Sequence, residues 1–408
     1  MKKLSLKELQ IKDKKILMRV DFNVPIDKQG HITDDSRIAA SLPSIRYILD
    51  HGGAVILMSH LGRPKGVDPK LSLKPCAERL SELLGQKVLM APDCVGGEVE
   101  KLAHSLKAGQ VLMLENLRFH QGEENVDKDP QFVKQLAVLG DAYVNDAFGT
   151  AHRAHASTAA IAHYYPGKAA AGFLLEKEIK FLGEALKNPK RPFYAIIGGS
   201  KISTKCGVIR ALMKKADAVL IGGGMSYTYL KAQGIPIGNS IHEDDFIDEA
   251  RQILASSEKG EGRLILPKDI VVADKIQEGA NAKIVRSNQG IPDGYEGVDI
   301  GPETIQFFSE ELKKASTVLW NGPLGVFEIP EFAKGTNAIA HVLANIHAVT
   351  IVGGGDSIAA IQACGLGEKI THLSTGGGAS LEYIEFGTLP GIEALSDTHN
   401  PRKGNGRS

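Results

Sequence analysis

The sequence predicts an α/β protein of two doubly wound, Rossmann-like parallel-sheet domains joined by a helix. Three observations carry that prediction. Apolar runs of strand length alternate with longer stretches of helical period almost from end to end, as strands and crossover helices do in parallel sheets. The runs are apolar at consecutive positions, which marks strands buried on both faces. One long stretch of helical period, 173–187, breaks the alternation between the turn signal Tyr165-Pro166-Gly167 and the stop Asn188-Pro189.

Taken in order, the first strands are 15–21, 54–60, 110–115 and 142–146, with helices over 36–50, 73–84 and 130–139. The interrupting helix then places a junction near residue 172, giving domains 1–172 and 173–387. The second series of strands is 193–198, 218–222, 264–266, 317–321, 349–353 and 370–374, with helices over 204–214 and 244–256. The closing THNPRKGNGRS is polar and reads as a frayed tail.

Composition removes several classes of function. The 408 residues carry 48 basic and 48 acidic side chains, so the basic surplus behind non-specific nucleic-acid or membrane binding is missing. No apolar run reaches spanning length. The first residues, MKKLSLKELQIKDKK, are charged throughout and lack the apolar core of a signal peptide. Cys76, Cys94, Cys206 and Cys364 are scattered without a C-x-x-C pair. They are expected to be reduced, small buried hydrophobes, not a disulfide framework or a zinc site.

Glycine is the unusual residue, at 45 of 408. Four runs follow strands in the second half: Gly198-Gly199, Gly222-Gly223-Gly224, Gly353-Gly354-Gly355 and Gly376-Gly377-Gly378. Any single run could serve a tight turn. Four at the carboxyl ends of strands, where open α/β sheets bind ligands, indicate a nucleotide-sized site. No G-x-x-x-x-G-K-[ST] occurs, and no G-x-G-x-x-G is followed by an acidic residue about twenty positions on. Lys201 and Lys205 flank the start of the 204–214 helix and read either as phosphate contacts or as a solvated pair. Asp356 reads either as a ligand of phosphate-bound Mg²⁺ or as a helix N-cap.

The first half instead puts cations at its strand ends. Arg37, Arg63, Arg118 and Arg153 can converge there with His60, although any one of these Arg could equally sit in a surface ion pair. Convergent guanidinium forks suit a small polyanion. An anion site on one domain and a nucleotide site on the other point to phosphoryl transfer, with hinge closure about the linking helix. A dehydrogenase lacks its fingerprint here, and a non-catalytic hinged binding protein would not need the Lys201, Lys205 and Asp356 set.

These residues also carry a resemblance. RVDFNVP (19–25), DSRI (35–38), SHLGRP (59–64), ENLRF (115–119), NDAFGTAHRAHAST (145–158), GGSKISTK (198–205), GGGM (222–225), WNGPLGVFE (320–328), GGGDS (353–357) and STGGGASLE (374–382) resemble phosphoglycerate kinase in order and spacing over about residues 5–395. The resemblance implies reversible transfer from 1,3-bisphosphoglycerate to Mg-ADP, giving 3-phosphoglycerate and ATP. It implies that Asp21, Asn23, Arg37, His60, Leu61, Gly62, Arg63, Arg118 and Arg153 bind the glycerate. On the nucleotide side it assigns Lys201, Lys205 and Asn321 to the phosphates, Glu328 to the ribose, and Gly354, Gly355, Asp356 and Ser357 to the phosphate site, with Asp356 as the Mg²⁺ ligand. Arg37 and Lys201 would stabilise the moving phosphoryl group, helped by amides of Gly355, Gly376, Gly377 and Gly378. No general base is needed, because both nucleophiles are already anionic oxygens. The resemblance further implies a cytoplasmic monomer whose tail, 388–408, returns to the first domain. One departure is Glu385-Phe386-Gly387-Thr388, where many members read Glu-Gly-Lys.

Overall fold

The computed structural model describes residues 2–398, and among these the chain forms two six-stranded parallel sheets and one three-stranded antiparallel sheet. It divides into two compact units: Met1–Ile179 with the segment from Thr388 onward, and Lys180–Gly387. The division falls inside the helix Phe173–Lys187, the stretch that breaks the strand–helix alternation.

The first unit contains β1 (Lys15–Arg19), β2 (Ala54–Met58), β3 (Val88–Met90), β4 (Val111–Met113), β5 (Ala142–Asn145) and β6 (Ala169–Ala171). Their order is β3-β4-β2-β1-β5-β6, with every pairing parallel. The chain therefore starts at the middle of the sheet, builds to one edge, and crosses back to build the other. Such reversals leave a crevice at the carboxyl ends of the central strands. Ile16, Leu17 and Met18 are all fully buried, so consecutive apolar residues serve opposite faces. β3 and β6 are three residues each, and the second is Ala-Ala-Ala; neither carries a strand signal in the sequence.

Beyond β6 the sheet is closed by both ends of the described chain. Lys3 bridges Asp397 in antiparallel fashion, the Leu4 amide donates to Ser396 O (2.7 Å), and the Ser396 amide donates to Ala169 O (2.9 Å). Ile392 and Leu395 are buried in this unit. Residues 388–398 thus belong to the first unit, while 399–408 lie outside the described residues.

The second unit contains β7 (Phe193–Ile197), β8 (Ala218–Ile221), β9 (Leu264–Ile265), β10 (Asp269–Ala273), β11 (Ala282–Arg286), β12 (Glu296–Ile300), β13 (Thr317–Asn321), β14 (Val349–Gly353) and β15 (His372–Leu373). The parallel sheet runs β15-β14-β13-β7-β8-β9. Trp320 on β13 is fully buried and its indole N–H donates to Gly322 O (2.8 Å). The small sheet β11-β10-β12 is antiparallel and departs from the all-parallel expectation. Its outer strand, AKIVR, is exposed at four of five positions, so it lacks the continuous apolar run by which buried strands are recognised. The helix expected over 204–214 begins at Cys206, with Lys205 at the capping position.

Candidate functional site

In the first unit the carboxyl ends of β1, β2, β4 and β5 gather a cluster of cations. Arg19, the last residue of β1, is a fully buried guanidinium that donates to Ser157 Oγ (2.8 Å) and to the Val20 carbonyl. It faces Glu123 Oε1 at 3.9 Å and His60 Nδ1 at 3.2 Å. Guanidinium has no acceptor, so this contact makes Nδ1 the acceptor and leaves the imidazole proton on Nε2. Burial first, then the charges of Arg19, Arg118 and Arg37, hold His60 well below the usual histidine range. His155 is pushed down to about 4 by burial and then by Arg118, Arg19 and Arg153. Each histidine therefore reports the same thing: burial, reinforced by several converging guanidiniums.

The remaining residues of the set frame this cluster. Arg37 reaches the Asp21 carboxylate (2.6 Å), and the Asn23 side-chain oxygen accepts from the Gly62 amide (2.9 Å). Arg118 donates to Gly62 O (2.7 Å) and pairs with Glu124 (2.9 Å). Leu61 is buried, and its backbone is held on both sides by Asn116. Gly62 has φ +62, and an added Cβ would press on Leu71. Arg153 is exposed and joins the cluster only through its field on Arg118 and His155. Arg63 is exposed and makes no ion pair or side-chain hydrogen bond among the described residues. Sequence reading misses Arg19, Glu123 and Ser157. Glu123 is fully buried, accepting from the Ser157 hydroxyl (2.6 Å) and amide (3.1 Å), and burial raises its pKa despite Arg19. Only the position of Arg19 at a strand end hints at it.

In the second unit a cleft of about 210 Å³ lies at the carboxyl ends of β7, β13 and β14. Lys201, Lys205, Asn321, Gly354, Gly355, Asp356 and Ser357 line it. The Lys205 ammonium donates to Gly198 O (2.7 Å) and Asn321 Oδ1 (2.9 Å). Burial pushes this amine down to about 8, against the pull of the Asp356 carboxylate. The residue as a whole is half-buried. Lys201 is exposed, and its loop is tied to Glu243, whose carboxylate accepts from the Ser203 amide (2.9 Å) and hydroxyl (2.6 Å). Asp356 lies in the first turn of the helix Gly355–Ala363, whose N-cap is Gly354 at φ +93. It is exposed, makes no ion pair among the described residues, and so caps nothing. Ser357 is buried, and its Oγ accepts from the Gly322 amide (2.7 Å).

The glycine runs divide into two physical kinds. A Cβ on Gly198 would overlap the Pro323 carbonyl, one on Gly322 the Gly198 carbonyl, and one on Gly223 would stand 2.7 Å from the Gly199 amide nitrogen. These loops interlock, and glycine is demanded by backbone packing. At Gly355, Gly377 and Gly378 nothing lies within 4 Å, so those backbones are open. Glu328 lies exposed in the turn after β13, and Gly376 and Gly377 lead into the helix Gly378–Phe386; none of these lines the cleft.

One free carboxylate at a helix start among lysines and open amides fits Mg²⁺, which takes one or two carboxylates and completes its shell with phosphate oxygens and water.

Comparison with known proteins gives the family. A sequence model of the phosphoglycerate kinase family matches residues 6–386. The chain is 55% identical over 405 residues to a phosphoglycerate kinase of Koribacter versatilis, covering 97% of this chain and 100% of that one. It is 53% identical over 396 residues to the cytosolic phosphoglycerate kinase of Triticum aestivum, covering 96% and 98%. Among solved structures, phosphoglycerate kinase from Coxiella burnetii superposes with a TM-score of 0.87 at 39% identity, over 96% of this chain and 98% of the other. That from Pyrococcus horikoshii gives 0.83 at 33% identity, with the same coverage.

Proposed function

The chain belongs to the phosphoglycerate kinase family, and from that premise we infer how its two clusters divide the reaction. The activity is phosphoglycerate kinase, the glycolytic phosphotransfer with a carboxyl group as acceptor. The first unit takes the three-carbon anion and the second takes ADP or ATP. The observation that supports this division is the gathering of Arg37, Arg118 and His60 at the carboxyl ends of the first unit's strands, with Arg37 braced by Asp21 and Arg118 by the Gly62 carbonyl. Convergent guanidinium forks of this kind suit a small polyanion.

In this reading Arg37, Arg118 and Arg153 engage the phosphate and carboxylate oxygens of the glycerate, and neutral His60 offers its Nε2 proton. Asp21 and Asn23 hold Arg37 and the Gly62 loop in place. On the other side Lys205 and Lys201 meet nucleotide phosphates beside the open amides of Gly354 and Gly355. The Ser357 hydroxyl fixes the Gly322 loop behind them. Glu328 and Gly376–Gly378 come into play only with bound ligands. When bound, Mg²⁺ at Asp356 would neutralise phosphate charge. Arg37 and Lys201 stabilise the charge that develops on the transferring phosphoryl group, and no residue needs to move a proton. The two halves meet by closure about the helix Phe173–Lys187, in a monomer of the cytoplasm. Among the described residues no helix is long and apolar enough to cross a membrane.

The test is a coupled assay of ATP-dependent phosphorylation of 3-phosphoglycerate with and without Mg²⁺, alongside binding of each substrate alone. Arg118→Ala should weaken 3-phosphoglycerate and leave nucleotide binding unchanged, and Lys205→Met should do the reverse. Both variants losing both ligands would overturn the division.

A further inference from the structure

Cys94 belongs to none of the machinery above, yet the fold gives it chemical company. Asp93 and Cys94 follow β3; His120 follows the neighbouring β4, just past the 3₁₀ turn Leu117–Phe119. One ligand atom from each of Asp93, Cys94 and His120 lies within 4.8 Å of the other two. His120 Nε2 stands 2.7 Å from Asp93 Oδ1, and its ring stacks on Phe132 at 5.1 Å, which fixes its plane. The Cys94 amide also donates to Asp93 Oδ1 (2.6 Å).

An Asp–His hydrogen bond alone accounts for two of these groups, but not for a buried thiol within 4.8 Å of both. Cys94 is fully buried, whereas the side chains of Asp93 and His120 are 43% and 27% exposed. The set thus has a closed sulfur side and an open nitrogen–oxygen side. No C-x-x-C or H-x₃-H spacing announces it, because the donors come from two strand ends.

We propose that Asp93, Cys94 and His120 form a three-ligand site for a thiophilic divalent cation, Zn²⁺ or Co²⁺. Thiolate, imidazole and carboxylate are the donor set of zinc, with a water completing the tetrahedron, and they do not suit Mg²⁺. On binding, the metal replaces the protons that now hold the cluster together. The thiol proton leaves to solvent and a metal–sulfur bond forms. The imidazole keeps its single proton, moved from Nε2 to Nδ1, and the Asp93 carboxylate coordinates in place of accepting. No electron is transferred. The cation would share a turn with Arg118, two residues before His120, so occupancy would fix the loop that carries one of the glycerate contacts.

The experiment uses the full chain, stripped of metal and titrated with Co²⁺. One equivalent should produce a thiolate-to-cobalt charge-transfer band in the near ultraviolet, and one equivalent of Zn²⁺ should erase it. Cys94→Ser should abolish the band, while Cys206→Ser and Cys364→Ser keep it. His120→Gln, at a partly exposed position, should lower Zn²⁺ affinity by at least about 10-fold. No charge-transfer band in the unaltered protein, or zinc affinity unchanged in His120→Gln, overturns the site. So does a band that survives Cys94→Ser.

Discussion

Lys205 ties nucleotide affinity to pH in a way that can be worked out beforehand. Its ammonium is held at about 8 by burial, well under the ordinary lysine value of about 10.4. Nucleotide phosphates are fully ionised above about pH 7, so over the alkaline range the protein alone titrates. A polyphosphate beside the amine favours its charged form and raises its pKa. The cationic form is therefore the binding form, and affinity is lost as pH rises through about 8. At about pH 7 nine-tenths of the free protein carries the charge, and at about pH 9 one-tenth does. Affinity should fall by about 10-fold between them, or ~1.4 kcal/mol. Calorimetric titration of Mg-free ADP in buffers of different ionisation enthalpy reads both quantities: the weaker binding, and uptake of nearly one proton at about pH 9. Trp320, whose indole holds the Gly322 carbonyl at the cleft, gives an independent fluorescence signal. Lys205→Met should bind weakly and flatly across the range. Equal affinity at both pH values, without proton uptake, would refute the placement of this amine against phosphate.

Other outcomes follow from the same geometry. Lys201→Ala and Arg37→Ala should each lose at least about 100-fold in kcat with the fold intact, read by the coupled assay and circular dichroism. Gly198→Ala should lose about 1–3 kcal/mol in urea unfolding, since its methyl meets the Pro323 carbonyl, whereas Gly355→Ala meets nothing and should stay within about 0.5 kcal/mol. Asp146 is buried and held up to about 7 while accepting from the amides of Leu174 (2.8 Å) and Leu175 (3.2 Å). Between about pH 4 and 7 the folded form keeps a proton that the unfolded chain has released, so stability falls as pH rises, by on the order of 1 kcal/mol per unit. Asp146→Asn should remove that slope from the pH profile of unfolding; an unchanged slope would contradict the assignment.

The strand ends were legible because parallel sheets concentrate chemistry there, and RVDFNVP, SHLGRP and IVGGGDS each mix an apolar strand with polar or glycine residues that have no place inside it. Arg19 was not legible, because a lone basic residue ending an apolar run looks like its exposed tip. Only the fold shows it buried against His60, Ser157 and Glu123. The glycine runs were legible as a group but not as two kinds. Whether a Cβ would strike Pro323 or open space depends on loops more than a hundred residues apart in sequence. β11 escaped for the opposite reason to the core strands: it is too polar and too exposed to stand out.

The first unit is not continuous in sequence, and synthesis has a direction. Its outermost strand positions are filled by Leu4 and Ser396, and its Ala151 loop carries Gly391. A ribosome releases residues 1–179 first and must then make the whole of Lys180–Gly387 before the closing segment exists. At roughly 5–20 residues per second that interval is on the order of 10–40 s. Throughout it the nascent first unit carries an uncovered flank beside β6, where the Ala169 carbonyl and the Leu4 amide await Ser396. The second unit has every one of its strands before then. The half made first is therefore the half finished last, and the nascent chain needs protection longest at its amino-terminal half.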